Sequence, residues 1–471
     1  MARTTKFVKF RGRLVIVGFG SIGQGVLPLI LRHIDMKANQ VTVVTAEDRG
    51  QKEAKDLGVR FLVEPLTREN YASILEPLLG TGDFLLNVSV EVSSLALIEL
   101  CRTKGALYLD TCIEPWPGGY TDPDLSPSLR SNYALRENAL ALRAKSPGGP
   151  TAVVTHGANP GLVQHFVKVA LLDLAEEAGL KAEPKTREQW AALAAELGVK
   201  VIHIAERDTQ LARIPKSPGE FVNTWSIDGF VAEGMQPAEL GWGTHERHFP
   251  ADGGKHEFGT GCAIYLNRPG AATRVRSWTP LEGPYHGFLI THAEAITIAD
   301  YYTHREGDQV RYRPTVHYAY HPCDDAVLSV HELWGKNFRL QESKRLMMDE
   351  IEHGIDELGV LLMGHAKGAY WYGSRLSVEE ARRLVRFNNA TSLQVTAAAL
   401  AGMIWALENP ERGIVEPDEL DHERVLDICR PYLGKVVGEY SDWNPLYDRE
   451  RLFPEDLDKG DPWQFKNFRV V

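Results

Sequence analysis

Along the first third of the chain, short apolar and β-branched runs alternate with segments of helical spacing. The runs are RLVIVGF (13–19), VTVVTAED (41–48), FLLNVSV (84–90), ALYLDTC (106–112) and TAVVTHG (151–157). This alternation predicts a doubly wound parallel sheet with crossover helices. The stretch SPGGP at 146–150 separates the helix ending in ALRAK from the last run, so a first α/β domain is expected over 1–155. Residues 168–198 read as helices rich in Ala, Glu and Leu. From VIHIAERD (201–208) through GCAIYLN (261–267) and RVRSWTP (274–280) the chain turns strand-like, with many Gly and Pro turns. A second, α+β domain is expected over 156–385.

One late segment, FNNATSLQVTAAALAGMIWALENPERG (387–413), is apolar around most of a helical circumference. Asn388 or Asn389 is placed to cap its start, and Asn409 before Pro410 ends it. Such a helix must be buried, and residues 386–471 are expected to return to the nucleotide domain as C-terminal helices. The tail, with SDWNPLY (441–447) and DPWQFKNF (461–468), is too aromatic for a linker and is expected to cover the body or a neighbouring subunit.

Composition narrows the function. The 471 residues are 44% hydrophobic and 24% charged, and 63 acidic against 52 basic residues give a net charge of −11. That balance disfavours nucleic acid and anionic membranes and mildly favours cationic partners. No apolar run of about 18 residues occurs and the basic N-terminal stretch lacks a signal-peptide core, so a cytoplasmic enzyme is expected. Five cysteines without a CxxC pair predict free thiols.

The strongest chemical motif is VIVGFGSIGQG (15–25), in which Gly18, Gly20 and Gly23 form GxGxxG between a strand and a helix. Gly18 would permit the tight turn, Gly20 the approach of a pyrophosphate and Gly23 the packing of helix on strand, with Ser21 and Ile22 at the helix N-terminus. After the second strand, Thr45, Glu47 and Asp48 are placed for the ribose; a carboxylate there favours NAD over NADP, with Arg49 and Lys52 as the counter-signal. Asn87, Val88 and Ser89 end the strand of FLLNVSV and Asp110 and Thr111 that of ALYLDTC, at the carboxyl edge where such sheets bind ligands. In HGANPGLVQHF (156–166), Asn159 can donate and accept, Pro160 can fix the first helical turn and Gly161 can admit a ligand close to the backbone. A metal is not expected: GTHERHF (243–249) has His245, Glu246 and His248 but not the HExxH spacing, and HPCDD (321–325) reads as a turn.

NTWSIDGFVAEG (223–234) sets the π face of Trp225 and the charge of Glu233 among small residues, a combination suited to a small organic cation. Together with VGFGSIGQGVLPLI, SVEVSSLALIELC, YLDTCIEPWPGGY, THGANPGLVQHFVKVAL, HIAERDTQ, its own continuation MQPAELGWGTHE, and FLITHAEAITIADYY, it resembles the bacterial NAD-dependent homospermidine synthases along essentially the whole chain. A more distant similarity is to saccharopine dehydrogenase-like enzymes. The resemblance implies a homodimeric aminoalkyl transferase that joins two putrescines into homospermidine with loss of ammonia, NAD serving as a recycled hydride carrier and the second domain, 156–385, serving substrate binding and dimerisation. It further implies that Trp225 stabilises cationic intermediates by cation–π attraction, and that Glu206, Glu233, Glu114 and His292 form the polar lining with Asn159. Where the family is expected to carry Asp, this chain has Glu91, which keeps the charge with a longer reach.

The chemistry asks for these residue types. A primary amine is protonated at neutral pH and yields hydride only from its neutral form, so a base, His292 or one of the glutamates, must act first. Two other readings stay open. A saccharopine- or carboxynorspermidine-type NAD(P)H reductase would need a cation for a substrate carboxylate, with Arg207 and Arg213 available. A non-catalytic NAD-binding sensor would turn over no amine.

Overall fold

Seven parallel strands form the first sheet of the computed structural model, which describes residues 5–470. In spatial order they are Ile414–Val415, Ala152–Val153, Leu107–Asp110, Phe84–Asn87, Leu14–Val17, Val41–Thr45 and Arg60–Val63. The order reverses beside Leu14–Val17, whose neighbours are Val41–Thr45 and Phe84–Asn87, which gives the doubly wound topology expected from the sequence. Leu14 to Val17 and Phe84 to Asn87 are buried throughout, as strands covered on both faces must be. The helix Ser21–His33 follows the first strand directly.

An eleven-stranded mixed sheet forms the second layer system. At its centre Val201–Asp208 runs parallel to Thr315–His321 and antiparallel to Ile355–His365. Successive side chains of a strand point to opposite faces, so Glu206 and Asp208 share one face, as do Tyr318 and Tyr320. That face turns towards the nucleotide sheet.

The helix Ala390–Glu408 lies between the two units. Its length and apolarity would suit a membrane span, but 89% of its apolar window is buried in the fold. Two of its polar side chains tie it to its neighbours: Gln394 donates to the Asp356 carbonyl and Ser374 Oγ, and Thr396 donates to Asn388 Oδ1. Burial of Leu393, Leu400, Met403 and Ile404 contributes roughly 2 kcal/mol each before chain entropy is set against it. Of the two candidate caps, Asn389 is the one that acts, accepting from the Ser392 N–H at 2.8 Å, while its Nδ2 donates to the Thr224 carbonyl at 2.6 Å.

The C-terminal segment meets one expectation and departs from the other: its aromatic tail covers the body, but not as helices returned to the nucleotide domain. Beyond Ile414–Val415, the chain does not stay with the nucleotide domain: Lys435–Ser441 pairs with Gly368–Ser377 as an edge of the second sheet, and Arg469–Val470 pairs with Arg274–Val275. The cause is apolar cover. Trp443 and Phe468 pack with Trp371 and Leu361 against a sheet face that would otherwise meet water. The GTHERHF stretch fastens this cover: Glu246 accepts from Thr315 Oγ1 and from the Phe465 N–H, His245 meets the Trp463 carbonyl, and Arg247 and His248 hold Asp458. Cys323 of HPCDD stands at the N-cap of the helix Asp324–Gly335, the turn that its sequence suggests. All five cysteines are free thiols.

Replacing Asn389 by Ala removes the cap and strands two buried carbonyls, those of Thr224 and Met347. Urea unfolding is expected to show a loss of roughly 2–4 kcal/mol.

Candidate active site

Where the carboxyl edge of the nucleotide sheet faces the second sheet, a cleft of about 120 Å³ opens. Ile22, Val88, Ser89, Thr111, Asn159 and Pro160 line one side; Glu206, Trp225, Glu233, His292 and Glu114 complete it. Residues that the sequence spreads over nearly three hundred positions thus meet in one place.

The glycine loop has the form a dinucleotide needs. Gly18 has φ of +86°, and a Cβ there would stand 2.8 Å from the Ser89 backbone. A Cβ on Gly23 would meet the Gly18 carbonyl at 2.7 Å, whereas one on Gly20 would have no neighbour within 4 Å. The first and third glycines are therefore set by packing and the second faces open space. No side chain caps the helix Ser21–His33, so its first N–H groups are free to hold an anion. Thr45 is half-buried at the end of its strand, and Glu47 and Asp48 are exposed just beyond it.

Five of the sequence assignments take a different form. Asp110 is wholly buried and accepts from Tyr108 Oη at 2.7 Å and the Thr155 N–H at 2.5 Å, so it braces the strand ends and does not face the cleft. Asn87 likewise turns inward, accepting from Ser89 Oγ at 2.6 Å. Pro160 precedes the helix, which begins at Leu162, and Gly161 does not make room for a ligand: its Cβ would collide with the Gly157 carbonyl at 2.1 Å, so glycine is required by the loop's contact with itself. Glu91 stands exposed in a left-handed conformation, φ +59°, and its contact with the site is its backbone N–H, which donates to Glu114 Oε2 at 3.2 Å.

Each functional side chain is delivered by an element end. Ser226 caps the helix Ile227–Met235, accepting from the Gly229 N–H, which sets Trp225 just outside that helix and Glu233 on its last turn. His292 occupies the N-cap of Ala293–Tyr301. Its Nε2 meets Glu233 Oε2 at 2.9 Å and its Nδ1 meets Glu294 Oε1 at 3.2 Å. Burial opposes charge on this ring, but the Glu294 and Glu233 carboxylates outweigh it and hold the pKa well above 6.5, so His292 is an imidazolium at neutral pH.

The carboxyl groups are pushed the other way. Burial raises Glu206 to about 7, against the Tyr318 hydroxyl and Asn159 amide that donate to it. Burial, helped by the charge of Glu233, raises Glu114 to about 8. Behind Glu206, Asp356 lies opposite Asp208 in the strand register with both carboxyl oxygens lacking a protein partner. The cleft has no Lys or Arg among its lining residues. Arg207, a candidate for a substrate carboxylate, instead bridges Glu282 and Asp324, and Arg213 is exposed.

Several contributors escaped the sequence reading. Tyr318, Thr391, Val395 and Cys112 line the cleft, and Tyr320 accepts the Trp225 indole N–H at 2.9 Å. The only sequence sign of the two tyrosines is their i, i+2 spacing in TVHYAYH, which places both on one strand face.

A GxGxxG nucleotide sheet whose carboxyl edge faces a mixed sheet across an acidic cleft defines the saccharopine dehydrogenase class of enzymes. The family described as Saccharopine dehydrogenase NADP binding domain matches residues 14–153, and Saccharopine dehydrogenase C-terminal domain matches 157–441. Within that class, the chain belongs to the homospermidine synthase family. It is 57% identical over 464 residues to a homospermidine synthase of Blastochloris viridis, covering 98% of this chain and 97% of that protein. Identity to a homospermidine synthase of Mesorhizobium japonicum is 53%, covering 98% and 96%. The crystal structure of homospermidine synthase from Legionella pneumophila in complex with NAD superposes with a TM-score of 0.92 at 52% identity, covering 98% of each chain. Apo saccharopine dehydrogenase of Saccharomyces cerevisiae shares the fold, with a TM-score of 0.52 at 10% identity, over 92% of this chain and all of that one.

The raised carboxyl pKa values have a consequence for stability. Between pH 4.5 and about 8 the unfolded chain releases the Glu114 proton while the folded chain keeps it, so folding weakens as pH rises across that window. Glu114→Gln lacks this penalty. Its Tm relative to the unsubstituted protein is expected to climb steadily between pH 5 and 8 in parallel thermal melts.

Proposed function

We propose that this chain is a homospermidine synthase, coupling two putrescines into homospermidine with release of ammonia, and that Trp225, Glu206, Glu233, Glu114 and His292 carry the reaction. One observation supports this above the others: an indole face and three carboxyl groups converge on a cleft without Lys or Arg, beside the glycine loop. A diammonium substrate is the complement of such a lining. A reductase acting on a carboxylate substrate would find no lysine or arginine there to bind it.

Gly18, Gly20 and the N-terminus of the helix Ser21–His33 would hold the pyrophosphate of NAD, and Glu47 and Asp48 the ribose hydroxyls. Val88, Ser89, Thr111 and Asn159 would flank the nicotinamide. NAD, when bound, takes a hydride from one substrate carbon and returns it to the product.

The protein's own groups divide the remaining work. Glu233 attracts a distal ammonium, and Glu114, protonated before substrate binds, gives up its proton as that ammonium arrives and then holds it as a carboxylate. Glu206, raised to about 7, takes the proton from the reacting amine, because only the neutral amine has the lone pair that expels hydride. The resulting iminium carries its charge against the Trp225 face, an attraction worth roughly 0.5–2 kcal/mol. A second putrescine, entering as its neutral amine, adds to the C=N carbon; the surplus proton on its nitrogen passes by way of His292, held as an imidazolium by Glu233 and Glu294, to the departing nitrogen, which leaves as ammonia. The new imine regains the hydride, and the secondary amine is complete. The buried cleft shields the iminium from water until the second amine arrives.

The same reading makes the chain a cytoplasmic homodimer. Its free thiols suit a reducing compartment, and exposed Tyr447, Leu452 and Phe453 on the tail offer apolar surface for pairing.

Incubated with putrescine and a trace of NAD, the protein is expected to release ammonia and homospermidine in many-fold excess over NAD without net change in NADH absorbance. Net consumption of NAD(P)H, or no amine turnover, overturns the proposal. Trp225→Ala is expected to abolish coupling. Glu206→Gln is expected to lower kcat by about 10²–10⁴, and the rise of kcat/KM through about pH 7, where Glu206 loses its proton in the parent enzyme, is expected to vanish.

A further inference from the structure

Tyr318 and Tyr320 stand two residues apart on the strand Thr315–His321, and their rings stack with centroids 5.1 Å apart at 11°. Together they form a plank that touches Glu206, His292 and Trp225 of the cleft. Tyr318 donates its hydroxyl to Glu206 and carries the His292 ring at 4.5 Å. Tyr320, fully buried, accepts the Trp225 indole N–H at 2.9 Å. Phe230 closes the other side, 5.4 Å from the Trp225 ring and 5.7 Å from that of Tyr320.

The bond to Tyr320 does two things to the indole. Trp225 is only half-buried and sits in the turn before a helix, so its side chain has room to rotate; the N–H bond fixes the plane it presents to the cleft. An indole whose N–H is bonded to an acceptor also shifts electron density into its ring, because hydrogen bonds polarise the groups they join. Cation–π attraction is electrostatic and grows with that density. The acceptor is constant: burial first, then the surrounding Glu206, Asp208 and Asp356 carboxylates, hold the Tyr320 phenol well above its ordinary pKa, so it stays neutral.

We propose that Tyr320 is a positioning residue of the coupling reaction, which, by accepting the indole N–H, fixes the plane of Trp225 and makes its face more negative where the transient cation forms. This rests on the reading that Trp225 faces that cation.

Tyr320→Phe keeps the ring and removes the acceptor. It is expected to lower kcat about three- to tenfold with little change in KM for putrescine, and to move the indole N–H hydrogen-bond marker in ultraviolet resonance Raman spectra towards the free position. Replacement of Trp225 by 3-benzothienylalanine, an isostere without an N–H, is expected to lower kcat likewise, and adding Tyr320→Phe to it is expected to cost nothing further. An equal loss from Tyr320→Phe in both backgrounds overturns the proposal, as does wild-type kcat in Tyr320→Phe with the Raman marker shifted. If Tyr320→Phe does not fold, the isostere decides alone, and wild-type kcat in it overturns the proposal. Persistent homospermidine formation by Trp225→Ala overturns the functional reading itself; an inactive Trp225→Ala beside an indifferent Tyr320→Phe overturns only the role of Tyr320.

Discussion

Carboxyl groups confined with little water and no fixed lysine or arginine are the constraint on which this molecule is built. Glu114 and Glu206 are each about 2% exposed, and Asp356 stands behind them with no partner for either oxygen. A buried carboxylate without a cation is costly, so these groups hold protons at pH values where exposed ones would not. Among the cleft's described lining residues the cation is His292, raised well above its ordinary pKa by Glu294 and Glu233, and it is already shared between those two carboxylates. A diammonium entering the cleft therefore supplies charge that the folded chain lacks, and the groups that bind it are the groups poised to exchange its protons.

Such an arrangement needs a stiff frame, since mutual repulsion would otherwise spread the carboxyls apart. The frame is made from element ends. Glu206 is fixed on a central strand by Asn159 and Tyr318, Glu114 by the Glu91 N–H, and the Trp225 segment by Asn389 through the Thr224 carbonyl. Asn389 also starts the long buried helix, so one side chain couples the seating of that helix to the segment that carries the indole.

The nucleotide half was legible because its signals are local. GxGxxG, the strand before it and the helix after it lie within about twenty residues, and the first and third glycines have a steric reason visible in the backbone. The full-chain resemblance likewise named residues that the fold brings to one cleft. What the sequence hid was direction and partnership. Asp110 and Asn87 sit at the expected strand ends but point inward, which residue type and position alone do not reveal. Tyr318 and Tyr320 looked like ordinary strand residues, because their partners, Glu206 and Trp225, are about a hundred positions away. The aromatic tail does cover the body as expected, but its residue types announced burial without saying against which sheet, and it lies on the second sheet and not on the nucleotide domain.

One feature of the nucleotide sheet bears on how the protein is made. Its outermost strand, Ile414–Val415, hydrogen-bonds beside Ala152–Val153, and the helix leading to it rests on the helix that follows the glycine loop. During synthesis the N-terminal sheet therefore leaves the ribosome with an open edge and an uncovered apolar flank, and both persist until nearly nine-tenths of the chain has emerged. The nascent polypeptide must tolerate or shelter that edge throughout translation, and a ribosome that stops early leaves a fragment with a ready template for aggregation.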